Sequence, residues 1–172
     1  MESQSYKPEK ENPEILTLDE KQLVGQWMEM SLADNRTGDL WRQFAPRINE
    51  ISNRIGTNRF SMQVYDVNHF SAFDPKRSFT KWAAAEVSNV GAVPPGMESY
   101  VLPSGLYAVF HYKGSSSDTR IFQYIFSTWL PASDYSLDNR PHFEVLGEKY
   151  RNNDPDSEEE IWIPIKKLKT SL

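Results

Sequence analysis

The sequence predicts an α+β domain made of two consecutive β-α-β-β units. Three observations carry this. The order strand, helix, strand, strand occurs twice in 172 residues, a length that fits one domain. Each unit holds one stretch of apolar residues at helical spacing among runs that alternate as strands do. A tryptophan occupies the same place in the last strand of each unit, Trp82 in KWAAAE and Trp162 in IWIPIK.

The first unit opens with the strand LVGQWMEMS (23–31). A helix follows over DLWRQFAPRINEI (39–51), where Leu40, Phe44, Ile48 and Ile51 share a face. Pro46 kinks that helix or marks a first turn. FSMQVYD (60–66) and KWAAAEVS (81–88) are its two closing strands. The second unit has the strand GLYAVFHYKG (105–114) and a helix over SSDTRIFQYIFSTWL (116–130), with Ser117 or Asp118 as its N-cap. HFEVLGEKY (142–150) and EIWIPIKKL (160–168) close it. MQVY aligns with FEVL, so Gln63 matches Glu144, Trp82 matches Trp162, and Trp27 matches Phe110. A pseudo-twofold relation between the units is the simplest arrangement; the alternative is a non-repeated α+β fold with chance matches. Residues 1–13, rich in Glu, Lys, Ser and Pro, form a flexible arm with little to bury. Residues 14–168 make a single domain, with repeat one at 14–90 and repeat two at 98–168. RNNDPDSE (151–158) is a surface hairpin loop, and the tail after Lys167 frays.

Composition narrows the function. The net charge is −5, with acids and bases interspersed, so no basic stripe for nucleic acid is expected. There are no cysteines, and His69, His111 and His142 lack metal-ligand spacing. No P-loop, GxSxG or GxGxxG occurs, so no cofactor is expected. The polar N-terminus is not a signal peptide, and no apolar run reaches the ~20 residues of a membrane span. A cytoplasmic protein without membrane contact is the expectation. GSSSD (114–118) is an anion-binding helix start or, more simply, a serine-rich cap.

GLYAVFHYKG, a helix ending TWLP, YSLDNRPHFEVLGEKY and EEEIWIPIK resemble, in that order, the C-terminal half of the GyrI-like family, the effector-binding domain also fused to AraC-type and MerR-type regulators. LVGQWMEMS…LWRQFAPRI resembles the first half of stand-alone members. The resemblance implies two SHS2-like modules with a ligand cleft between them and a pocket glutamate in the FE strand, here Glu144. It also implies a stand-alone member, since both halves are used by the repeats and no helix-turn-helix precedes them. Any sensing would then pass through a protein partner not legible in the sequence.

Strand alternation places the site residues. Ile161, Ile163 and Ile165 share the helix side, which sends Trp162 to the other face. Phe143 and Val145 fit the helix side, leaving Glu144 with Trp162. Gln63, Tyr65 and Trp82 take the equivalent face of the first unit. In 106–113 the parity sends there either Phe110 with Tyr112 or Val109 with His111, and the match of Trp27 with Phe110 selects the aromatic pair. Trp27, Tyr65, Trp82, Phe110, Tyr112 and Trp162 then surround Glu144 on a face that would otherwise be polar. There the carboxylate holds a cationic or hydrogen-bonding group, rings stack on flat ligand surface, and desolvation raises the carboxyl pKa. The alternative is that Glu144 is an exposed residue paired with a Lys or Arg. Trp41 and Trp129 are assigned to core packing, His111 and His142 to structural hydrogen bonds, and Glu158–Glu160 to a solvated strand entry. Trp27 stays open between core and pocket.

Two functions follow from the resemblance. One is capture of aromatic, often cationic small molecules for sensing, sequestration or detoxification. The other is hydrolysis of cyclopropanoid DNA-alkylating compounds, with Glu144 activating water and Tyr112 or a tryptophan orienting the ligand. Inhibition of DNA gyrase rests on the family name alone.

Overall fold

The computed structural model describes residues 6–8, 10 and 12–168. The first unit contains β1 (Glu14–Leu18), β2 (Lys21–Met30), α1 (Thr37–Phe44), a 3₁₀ segment (Ala45–Glu50), β3 (Arg54–Val64) and β4 (Phe79–Val87). The second contains β5 (Glu98–Leu102), β6 (Gly105–Lys113), α2 (Arg120–Tyr124) running through a π-helical turn (Ile125–Trp129) into α3 (Leu130–Ala132), then β7 (Tyr135–Leu137), β8 (His142–Leu146) and β9 (Glu158–Lys167). Pro46 stands in the first turn of the 3₁₀ segment, one of the two places expected for it, and α1 stops before it because it lacks the N–H that would continue the helix. Neither Ser117 nor Asp118 caps α2. Thr119 takes that position, and the Asp118 carboxylate instead accepts from the Arg120 N–H at 3.0 Å and from its guanidinium.

The strand order is β1-β6-β9-β8-β3-β4-β2-β5, antiparallel throughout, with β7 added on β9. This order is symmetric about the central β8–β3 pair. The register confirms the repeat. Met62 pairs with Phe143 across the centre, Trp82 lies opposite Met62, and Trp162 lies opposite Phe143. Trp82 and Trp162 are therefore equivalent, as are Gln63 and Glu144. Strands β1 and β5 were not expected, nor that each crosses to pair with the opposite unit, β1 on β6 and β5 on β2. Leu18 and Leu102 thereby reach the same core from both sides.

The sheet curls into an antiparallel half-barrel. Its concave face fills with its own side chains: Leu23, Phe60, Met62, Trp82, Tyr107, Val109, Phe143 and Val145, with Trp162 and Tyr100 packed on them. Burying each large apolar group contributes about 1.5–3 kcal/mol. On the convex face, α1 sets Leu40 and Phe44 on Val24, Ala83 and Ala85. Ile121 of α2 and Ile125 of the π turn pack on Ala108, Phe110, Ile161 and Ile163. Trp41 and Trp129 belong to these helix layers, as expected. In the N-terminal segment expected to bury little, Pro8 is buried and Tyr6 packs on the second helix layer, the Arg120 guanidinium 4.7 Å above its ring. Beyond Leu168, the tail expected to fray lies outside the described residues. No described helix is long and apolar enough to cross a membrane.

Candidate functional site

Between the clusters under the two helix layers runs a strip of sheet that belongs to neither. β3 contributes Ser61 and Gln63, with Tyr65 just past its end; β4 contributes Lys81, β8 contributes His142 and Glu144, and β9 contributes Glu159. The ladder fixes their neighbourhood: Ser61 pairs with Glu144, Gln63 with both His142 and Lys81, and Glu144 with Ile161. A buried apolar strip would have joined the two layers. Here small and polar residues floor a groove instead. Glu144 is half-buried, and Gln63 donates from Nε2 to its two carboxylate oxygens at 3.1 and 3.3 Å. The strip ends beside the β8–β9 loop in a cleft of about 760 Å³, to which Glu159, Tyr112, Asn58 and Lys149 contribute.

The electrostatics of this strip are tightly linked. Burial pushes Glu159 up to about 8; the charge of Glu144 adds to the rise and Lys81 opposes it. Burial lowers the pKa of Lys81, while Glu144 and Glu159 pull it back up. Burial, then Glu144, raises the Tyr65 phenol, which stays neutral. Burial likewise raises Tyr112, to about 12.

The residues singled out in the sequence divide between two faces. Glu144, Tyr65, Phe110 and Tyr112 are on the helix side; Trp27, Trp82 and Trp162 are on the other. The expectation that they all surround Glu144 is corrected for a simple reason. Alternation tells which residues share a face but not which face that is. Phe143 stacks on Trp162 at 5.2 Å with the rings 17° apart, so Phe143 and Val145 point into the half-barrel and Glu144 points away from Trp162. Trp27 and Val109 lie opposite Trp82 and Trp162 in their ladders, so Trp27 is equivalent to Val109, not Phe110. That shift of one residue sends Phe110 and Tyr112 into the layer under α2. The Tyr112 hydroxyl is already donated to the Ser115 carbonyl at 2.8 Å. Trp27 is 43% exposed, and its indole donates to Glu98 at 2.9 Å. The aromatic concave face requires no ligand, since the curl of the sheet buries it.

Ser61, His142 and Phe70 were not placed at the site from the sequence, and neither were two of the charged residues of the groove, Glu159 and Lys81. Glu159 looked like part of a solvated acidic run, yet its parity with Ile161 takes it into the groove. Lys81 opens KWAAAE on the same parity as Ala83 and Ala85, the helix side, and is 6% exposed. That parity was the available signal.

The β3–β4 loop folds over one end of the groove. Phe70 stacks on His142 at 5.3 Å and on Phe126 at 5.7 Å, and Tyr65 packs against His69, Phe70, Phe79 and His142. Burial pushes His142 down to about 3, from 6.5. Below 6.5 the unfolded chain takes up a proton that the folded ring refuses, so this residue's contribution to stability falls as the pH drops from 6.5 towards 3. One such proton corresponds to about 1.4 kcal/mol per pH unit. His142→Phe, which keeps the stack, is expected to give a shallower acid limb in chemical denaturation than the wild type. An unchanged limb would show that His142 titrates normally.

These features define an effector-binding α+β domain of the GyrI-like class, as the sequence resemblance implied. More narrowly, the chain belongs to the integron-associated effector-binding proteins, whose family model matches residues 14–165. The transcriptional regulator BrlR of Pseudomonas aeruginosa is 30% identical over 131 residues, which are 74% of this chain and 46% of BrlR; the chain spans less than half of that regulator. An integron cassette protein from the mobile metagenome of Vibrio cholerae superposes with a TM-score of 0.64 at 14% identity, covering 90% of this chain and 96% of the other. SAV2435, solved with bound tetraphenylphosphonium, superposes with a TM-score of 0.63 at 16% identity, covering 90% and 93%. These two likenesses speak for the fold.

Proposed function

We propose that this chain binds small aromatic molecules in the groove between its helix layers, with Glu144 as the polar anchor. The observation that carries this reading is the half-buried Glu144 carboxylate, oriented by Gln63 on a polar strip of sheet that belongs to neither helix cluster. A buried or half-buried carboxylate with few fixed donors favours a ligand that brings one. Tyr65 and Phe70 supply ring faces beside it. Membership of an effector-binding family supports the reading, as does the tetraphenylphosphonium held by SAV2435. The tryptophans contribute by holding the half-barrel in shape and not by touching the ligand.

Isothermal titration with flat aromatic amines and amides tests it. One-to-one binding by several of them is expected, together with a rise in melting temperature. No heat and no thermal shift from any of them at millimolar concentration would overturn it.

A second reading, hydrolysis, is favoured by one observation. Burial raises the Glu159 carboxyl to about 8, and Glu144 is near enough to add to the rise. Two neighbouring carboxyls in different environments can divide the roles of acid and base. Glu144 would then take a proton from water as it attacks a strained carbon, and Glu159 would protonate the leaving carbon or oxygen. Mass spectrometry of a cyclopropanoid electrophile after incubation separates the readings. Gain of one water with the wild type and not with Glu144→Gln indicates hydrolysis, while binding without change of mass leaves the binder reading.

A further inference from the structure

The two ends of the groove are equivalent by the pseudo-twofold relation, yet they are finished differently. Loops 65–78 and 147–157 each join the two closing strands of a unit. Beside loop 147–157 the strip ends in the open cleft of about 760 Å³. Beside loop 65–78, the ring of Phe70 lies on the strip. It is nearly parallel to both His142, 17° and 5.3 Å away, and Phe126, 23° and 5.7 Å away, and Tyr65 meets it edge-on at 4.9 Å. Phe126 belongs to the π-helical turn of the second unit, a distortion frequent at functional sites. One ring thus carries a loop of the first unit across to the helix layer of the second.

The loop is tied to itself more than to the groove. The His69 N–H donates to the Asp66 carbonyl at 2.9 Å and the Ser71 N–H to that of Asn68 at 3.1 Å. The Arg77 guanidinium donates to the carbonyls of Asn68 and His69 at 2.6 and 3.0 Å. Among the described residues, the hydrogen bonds of 67–73 all stay within 66–77. The returning arm is anchored by the Ala33 N–H, which donates to the Pro75 carbonyl at 2.8 Å. What the tip gives the groove is ring contact, from His69 and Phe70. Phe70 is 47% exposed, so its ring can leave without crossing the core. Nδ1 of His69 is buried with no hydrogen-bond partner among the described residues, a cost that exposure to water removes.

We propose that the β3–β4 loop is a lid on the groove with Phe70 as its latch: the ring leaves His142 and Phe126 to admit a ligand and closes on the ligand's outer face. This rests on the small-molecule reading above and adds the route into the same groove. Two aromatic pairs favour the closed form by roughly 5–100-fold, which leaves an open population on the order of 1–20%.

The test has one arm without ligand and one with it. In the free protein, NMR relaxation dispersion of the His142 and Phe126 ring resonances is expected to show exchange on the μs–ms scale of lids, and Phe70→Ala to abolish it. In stopped-flow mixing with proflavine, a flat fluorescent aromatic amine, the observed rate for the wild type is expected to level off at the opening rate as dye is raised. Phe70→Ala is expected to lose that plateau and to associate at least about fivefold faster at low dye. It is also expected to release the dye faster, because the dye loses a ring face. Phe73→Ala, which alters an 86% exposed ring on the same loop, is expected to keep the plateau. If Phe70→Ala does not melt cooperatively, Phe70→Leu takes its place. Rings without exchange in the free wild type overturn the lid, whatever the dye does. So do rates that rise linearly and alike in the wild type and Phe70→Ala, or a plateau lost equally in Phe73→Ala. Exchange in the free protein with no dye binding by either variant overturns instead the small-molecule reading on which the lid's role rests.

Discussion

Trp82→Ala is expected to lower stability by about 3–5 kcal/mol, the range for removing a large buried aromatic side chain. Trp82 is 5% exposed and sits at the centre of the half-barrel, 5.4 Å from the Tyr100 ring and 6.5 Å from that of Trp27, with Phe60 and Met62 in the same cluster. The surrounding strands are tied to one another by hydrogen bonds, so they cannot collapse into the space left behind. For a chain of this length the melting temperature should fall on the order of 10 °C. Trp162→Ala should act the same way, because its ring stacks on Phe143 and meets Tyr107 edge-on at 5.7 Å. Both variants should bind groove ligands with wild-type affinity at temperatures where they remain folded. Denaturation and calorimetry on the same samples check this. Loss of binding with little loss of stability would return the ligand to the tryptophan face.

Glu144→Gln should have the opposite profile. It keeps the size of the side chain and an oxygen that Gln63 can still bond. It removes the charge that strengthens any bond from a ligand donor. The expected loss is about 1.5–3 kcal/mol of affinity for ligands with a protonated or strongly donating group, roughly 10–100-fold. Ligands without such a group should weaken little, and the melting temperature of the free protein should stay close to the wild-type value. Titration of both ligand types measures the contrast. Equal weakening of both would mean that Glu144 shapes the groove without recognising its occupant.

The sequence held more of the fold than of the site. The repeat was legible because Trp82 and Trp162, and Gln63 and Glu144, recur in runs of the same character, and the ladder places each pair at equivalent points. β1, β5 and β7 were not legible, being short strands defined by distant partners. The site was misassembled at the step that alternation leaves undetermined. Phe143 and Glu144 must face opposite ways, but only the pairing of Phe143 with Trp162 says which one enters the half-barrel. In β6 a displacement of one residue decided the fate of Phe110 and Tyr112. Glu159 was hidden in a run of three glutamates, and burial of a single member of that run depends on the register of β9 against β6 and β8. Lys81 was hidden by its charge, since lysine is rarely buried unless paired.

Binding of a small molecule on the helix side of the sheet, at Glu144, is the proposal on which the rest depends. A crystal structure of the protein soaked or grown with a flat aromatic ligand identified by titration tests it most directly. Ligand density is expected between the two helix layers, with a donor of the ligand within hydrogen-bonding distance of Glu144 and its rings against Tyr65 or Phe70. Density on the concave face, among Trp27, Trp82 and Trp162, would contradict it.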